Sequence, residues 1–190
     1  MKGRDGFTLL ELMATIAIIG ILLAMATLYF MRLNEQYQVE SLTKELYSTL
    51  MRARNSAATS TTRWLVVANA GVGLVQYGPD ANENGTIDAF EAVPPQVPAR
   101  LQSARFAIQF NPIGIGAVAN PIVFDRRGTL ANRDGAGNIL TITLNIPRAP
   151  IPGGYTANVD PVMDCIAIEA TRINIGKMET VLGVPTCVQK

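Results

Sequence analysis

From Phe7 to Met31 the only charged side chain is Glu11, and Leu12 to Met31 is an uninterrupted uncharged run of 20 residues. About 20 apolar residues wound as a helix cross a hydrocarbon layer of roughly 30 Å. A secretory signal has a shorter apolar core followed by a small-residue cleavage site; this run is longer, and no such site follows it. Glu11 stands at the edge of the apolar segment. A carboxylate inside a bilayer costs a few kcal/mol or more, so it needs a partner and usually has a task.

The segment does not stop where its apolar character stops. Neither glycine nor proline occurs between Ile21 and Ala70, and all eleven prolines lie beyond Gly78. Helix breakers are therefore absent where one long helix would run. After the uncharged run the apolar residues are Val39, Leu42, Leu46, Leu50, Ala53 and Ala57. Steps of three and four draw one stripe along a helix, with polar residues opposite. A helix from Thr8 to Ser60 would be roughly 80 Å long at 1.5 Å per residue. Its first half is apolar on all sides, its second half on one face only.

Composition narrows the chemistry. The chain has 190 residues and no histidine, which excludes Ser-His-Asp triads, Cys-His dyads and histidine-ligated zinc. Its two cysteines are too few for a four-cysteine metal site, though enough for one disulfide. Sixteen basic against fifteen acidic residues leave a net charge of +1, so bulk electrostatics selects no partner. No phosphate-binding loop and no nucleophile paired with a base can be found, and the chain is expected not to be an enzyme.

Beyond Ser60 the texture changes to short strands. Trp64–Ala68 and Val72–Tyr77 flank Asn69-Ala70-Gly71 and predict a hairpin. Phe106–Phe110 and Ile139–Leu144 alternate with period 2, the second preceded by an Asp134-Gly135 turn. Asn132–Asn138 is rich in Asp, Asn and Gly and reads as a turn. Cys165–Glu169 and Arg172–Ile175 predict a last hairpin, and proline clusters at 94–98 and 147–152 mark two loops. The expected fold class is α+β: a long N-terminal helix packed on a C-terminal antiparallel β domain, shaped like a lollipop.

Gly6-Phe7-Thr8-Leu9-Leu10-Glu11-Leu12 resembles the processing motif of type IV pilins and type II secretion pseudopilins. The resemblance implies a prepilin leader at 1–6, cleavage between Gly6 and Phe7 by prepilin peptidase, and N-methylation of Phe7. It further implies a transmembrane and filament-core helix at 7–31, its amphipathic continuation at 32–60, and a periplasmic β-rich domain at 61–190. The chain would then be a single-pass inner-membrane protein, exported into a filament of pilins or pseudopilins after processing. Glu11, fifth in the mature chain, would pair with the Phe7 ammonium of a neighbouring subunit. An unpaired carboxylate in an apolar core is costly, so the pair would enforce axial register. Asp5 departs from the usual basic leader and should slow cleavage at most. Many pilins carry a proline in the membrane half of this helix; Leu28 stands near that place here, so less local melting is expected.

Within the superfamily the texture is most similar to the minor-pilin branch called FimT or GspH. The Trp64 strand, the acidic Asn/Gly loop after it, the Phe124–Gly128 stretch and the isoleucine-rich terminal hairpin with its cysteines carry that resemblance. A periplasmic location is oxidising and favours a Cys165–Cys187 disulfide. Closing a loop of that size stabilises by roughly 3 kcal/mol in the chain-entropy model. Some members of the branch take part in DNA uptake; Arg126, Arg127, Arg133, Arg172 and Lys177 would serve, but a near-neutral domain disfavours DNA.

One constellation points to a ligand. Asp80-x-Asn82-x-Asn84-Gly85-Thr86-x-Asp88-x-x-Glu91 fits the spacing of an EF-hand calcium loop. Asp80, Asn82 and Asn84 offer side-chain oxygens, and Gly85 permits the sharp turn. Thr86 supplies a carbonyl, Asp88 ligates directly or through water, and Glu91 closes the shell with both oxygens. The neighbouring sequence, valine-rich before the loop and proline-rich after it, provides no flanking helices. The competing reading is a polar β-connection in which Asp and Asn cap turns. The expected cofactor is one calcium ion; with it, an unprocessed membrane-tethered calcium module becomes the alternative to a filament subunit.

Overall fold

The computed structural model describes residues 8–69, 74–87, 109–113, 121–145, 161–181 and 184–189. Helix α1 (Leu9–Thr59) runs unbroken for 51 residues, through Leu28. Thr8 caps its start in extended conformation, with the side-chain oxygen accepting from Glu11 N–H at 3.3 Å. Ser60 caps its end, where its backbone N–H donates to Ser56 O at 2.9 Å. Both termini are one residue from where the sequence places them, because side-chain and backbone caps satisfy groups that the helix leaves orphaned.

Among the described residues eight strands follow: β1 (Arg63–Asn69), β2 (Leu74–Asp80), β3 (Gln109–Ile113), β4 (Ile122–Phe124), β5 (Thr141–Asn145), β6 (Cys165–Ile168), β7 (Ile173–Val181) and β8 (Val184–Gln189). They form a three-stranded sheet ordered β2-β1-β4 and a five-stranded sheet ordered β3-β5-β6-β7-β8, and every pairing between named strands is antiparallel. The fold is thus α+β in the expected pilin-like layout. Proline cannot donate to a ladder. Pro79, Pro112 and Pro185 accordingly lie in β2, β3 and β8, each at the edge of its sheet.

The second half of α1 is the spine of the core. It packs against β1, β2 and β4 of one sheet and β6 and β7 of the other. Val39, Leu42, Leu46, Leu50, Ala53 and Ala57, the six residues of the predicted stripe, are all at most 2% exposed. Ile122, Phe124, Leu130, Leu140, Ile142, Leu144, Ile166 and Ile168 meet them from the sheets. Trp64 fastens the helix end to β1, its Nε1–H donating to Ser60 Oγ at 2.8 Å while its ring lies 6.0 Å from that of Tyr77.

Two elements differ from expectation. In β5, Thr143 is buried together with Ile142 and Leu144, so both faces are covered where alternation implied one wet face; Leu140, Ile142 and Leu144 still share the inward side. The hairpin expected to be the last, β6–β7, is followed by a further strand, β8, paired with β7 from Gly176↔Gln189 to Val181↔Val184. Cys165 in β6 and Cys187 in β8 are disulfide-bonded with Cα atoms 5.9 Å apart, although β7 lies between their strands. Gly176 makes that crossing feasible. A Cβ there would stand 2.3 Å from Val188 O and 3.1 Å from Cys187 Sγ, so no larger residue fits without moving backbone.

Two outcomes are expected from this packing. Leu50→Ala should destabilise the protein by about 2–5 kcal/mol, the cost of a core cavity, read by urea unfolding of the detergent-solubilised chain. Gly176→Val should leave free thiols at Cys165 and Cys187 under oxidising conditions, measured by thiol titration, and remove roughly 3 kcal/mol of stability; full disulfide yield would contradict the close approach.

Candidate functional site

Two regions of the molecule are built for something outside the core. The first is the N-terminal half of α1. From Leu9 to Met25, eleven large apolar side chains are 53–79% exposed, and Leu9–Ala26 is long and apolar enough to cross a membrane. Each such side chain, once covered, contributes about 1.5–3 kcal/mol. The total is on the order of 20 kcal/mol, above the 5–15 kcal/mol that holds a typical domain folded. Glu11 stands in the first turn of this bare rod, exposed, with its backbone amide on Thr8. A carboxylate there complements the positive end of the helix dipole. Gly6 and Phe7 lie outside the described residues.

The second region is the loop leaving β2. Asp80 is the last residue of β2, paired in register with Arg63, and is only 1% exposed. Its Oδ2 accepts from Gly85 N–H at 3.3 Å and faces Arg63 Nη2 at 3.5 Å; Oδ1 finds no donor among the described residues. Asn82 Oδ1 accepts from Asn84 N–H at 3.1 Å, and Asn84 Oδ1 accepts from Thr86 N–H at 2.7 Å and from the Thr86 hydroxyl. Gly85 has φ +77° and Glu83 φ +58°. The first conformation is free for glycine, whereas left-handed backbone costs an L-residue about 1–2 kcal/mol. Ile87 turns back so closely that a Cβ on Gly78 would meet its Cγ2 at 2.5 Å. The structure therefore brings Asp80, Asn82, Asn84 and Thr86 onto one tight loop. Asp88 and Glu91 lie outside the described residues, and among those described no three acidic or cysteine side chains gather as a metal cluster.

Glu83 at the loop tip is the residue that sequence reasoning missed. Its carboxylate reaches Arg63 at 3.5 Å and Arg126 at 3.3 Å, linking the loop to the turn after β4. No spacing rule announces such a contact, since residues 83 and 126 meet only through the β2-β1-β4 order.

That turn also explains the Phe124–Gly128 stretch. Phe124 is buried. Asp125 Oδ1 accepts from the amides of Arg127 and Thr129, both at 2.9 Å, and Oδ2 from the Thr129 hydroxyl at 2.8 Å. Gly128 has φ +70°, and a Cβ there would press on Arg54 O and Ala58 Cβ of α1 at 3.1 and 3.2 Å. Burial raises the Asp125 pKa, but the Thr129 and Arg127 hydrogen bonds and the Arg127 charge together outweigh it and hold the carboxyl below its ordinary value. Asp134 is likewise lowered, chiefly by Asn138 N–H, and organises the 134–138 turn. Of the basic residues considered for DNA, Arg126 is engaged with Glu83 and Arg133 donates to Gly137 O at 2.7 Å. Arg172 stands between β6 and β7, and Lys177 on β7.

Residues 1–27 match the family model described as the prokaryotic N-terminal methylation motif, which supports the type IV pilin and pseudopilin superfamily. Proteins with this N-terminus are structural, and the motif implies processing by prepilin peptidase and assembly with other pilins. No curated protein and no solved structure matches the chain significantly.

The lowered Asp125 pKa has a definite sign. Its contribution to stability is complete above the unfolded-state value of about 3.9 and is lost as pH falls through the lower folded value. Asp125→Ala should cost about 1–3 kcal/mol at pH 6, the penalty of two stranded amides and a hydroxyl, and much less at pH 3. Urea unfolding of both proteins at the two pH values checks this; a difference independent of pH would refute the carboxylate's role.

Proposed function

We propose that the chain is a structural subunit, a minor pilin or pseudopilin of FimT or GspH type, in a type IV pilus or type II secretion filament. Prepilin peptidase cuts after Gly6, Phe7 becomes the N-methylated terminus, and the globular part faces the periplasm until the subunit enters the filament. The observation that carries this reading is a coincidence. The methylation motif at 1–27 takes in the start of α1, whose apolar surface is not covered by any of the described residues. A bilayer covers it before assembly and the same helices of neighbouring copies cover it afterwards. The assignment to the minor branch is supported by the Asp125–Gly128 turn packed on the helix end, the loop after β2, and the disulfide-tied terminal strands.

Glu11 has two roles in this scheme. In its own chain it complements the start of the helix; in the filament its carboxylate pairs with the Phe7 ammonium of an adjacent copy. Removing one partner of a buried ion pair costs about 3–5 kcal/mol, enough to block incorporation. Co-expression with prepilin peptidase should give a mature chain beginning at N-methyl-Phe7 by mass spectrometry. Glu11→Leu should be processed and inserted in the membrane yet fail to join filaments in a shear or cross-linking assay. An intact Met1 would favour the tethered module instead, and normal incorporation of Glu11→Leu would reject the pairing.

A further inference from the structure

We propose that the Asp80–Thr86 loop binds one calcium ion, with the buried Asp80 carboxylate as its anchor, and that the bound ion steadies the contact between this loop and the turn after β4. The decisive observation is the state of Asp80. A buried carboxylate is normally paired and fully hydrogen-bonded. Here the residue is 1% exposed, both contacts of Oδ2 are long at 3.3 and 3.5 Å, and Oδ1 has no donor among the described residues. Arg63 lies beside it but does not reach Oδ1, and its own Nε also lacks an acceptor among the described residues. The Gly85 amide on Oδ2 turns the carboxylate toward the loop. A cation at Oδ1 would satisfy the stranded oxygen.

The rest of the loop suits a hard cation that takes six to eight oxygens at 2.3–2.6 Å. Asn82 and Asn84 point side-chain oxygens toward the backbone ahead of them, and the left-handed Gly85 makes the sharp turn. With neutral amides at the third and fifth positions and Arg63 nearby, the ligand charge is low. That places the affinity in the weak range of extracellular modules, with a Kd on the order of 10⁻⁴–10⁻³ M.

The structural consequence runs through Glu83, next to these ligands in the chain. It grips Arg63 at the start of β1 and Arg126 in the turn whose Gly128 rests on Arg54 and Ala58. Ordering the loop therefore fixes one end of the three-stranded sheet against the end of the helix. This inference is independent of the filament reading and stands or falls separately.

The test uses the full chain in detergent, stripped with chelator and titrated with CaCl₂ by calorimetry, with Trp64 fluorescence as a second readout because Trp64 adjoins Arg63 and pairs in register with Pro79. One ion per chain should bind with a Kd on the order of 10⁻⁴–10⁻³ M, and Mg²⁺ should bind markedly more weakly. Asp80→Asn should abolish binding. The exposed Asn84→Ala, which leaves the buried anchor in place, should weaken it by about tenfold with an unchanged circular dichroism spectrum. No heat up to roughly 10 mM calcium, ten times the weak end of that range, would overturn the proposal. Undiminished binding by Asn84→Ala, or equal affinity for Mg²⁺, would overturn it as well.

Discussion

A helix that is core at one end and bare at the other exists stably only if something outside the chain covers the bare end. That constraint governs the molecule. The C-terminal half of α1 is saturated, its stripe sealed by two sheets, and nothing of the chain's described globular part covers Leu9 to Met25. The two halves are one continuous piece of secondary structure, so a load on the apolar rod passes directly into the core. The globular part is gripped at the helix end by Trp64 on Ser60 and by Gly128 on Arg54 and Ala58. These contacts lie where a detachable domain would need a hinge.

The β part is reinforced at its periphery rather than enlarged in its core. The five-stranded sheet ends in β8, a short edge strand carrying Pro185, and the disulfide fastens it across Gly176 to β6. The smaller sheet ends in β2, where the loop from Asp80 and the Glu83 ion pairs serve the same purpose. Exposed edges invite pairing with other chains. In the proposed filament subunit, which would associate through its helix, prolines at both edges of the larger sheet and at β2 would restrict association to that surface.

Much of this was legible in the sequence because it rests on local rules. The helix limits follow from the lack of breakers between Ile21 and Ala70, and the buried face follows from the spacing of Val39 through Ala57. The β1–β2 and β6–β7 hairpins follow from alternation around turn residues. What escaped was set by tertiary context. Strand β8 has only short alternation and includes a proline, so its pairing with β7 was not visible. Thr143 is buried because both faces of β5 are covered, which period-2 patterning cannot show. In the loop after β2 the donor types and spacing could be read, but the burial of Asp80 and the reach of Glu83 to Arg126 could not, since both depend on strand order. The predicted strand at Phe106–Phe110 overlaps the described part of β3 only at its last two residues; 106–108 lie outside it.

The first turn of α1 shows why a charge at the edge of an apolar segment need not be a defect. Four amides at a helix start lack partners, and in hydrocarbon each unsatisfied group costs several kcal/mol. Thr8 satisfies the amide of Glu11, and the Glu11 carboxylate complements the remaining positive end of the dipole. Cleavage after Gly6 would add an ammonium at that same end, where the dipole of its own helix disfavours it. Each processed copy would then carry a cation poorly matched to its own terminus and, four residues on, an anion able to accept one. Pairing between axially displaced copies would relieve both, and its offset would be set by the distance between Phe7 and Glu11 along the chain. On this argument a single carboxylate can specify the stagger of a filament whose apolar contacts alone would tolerate many.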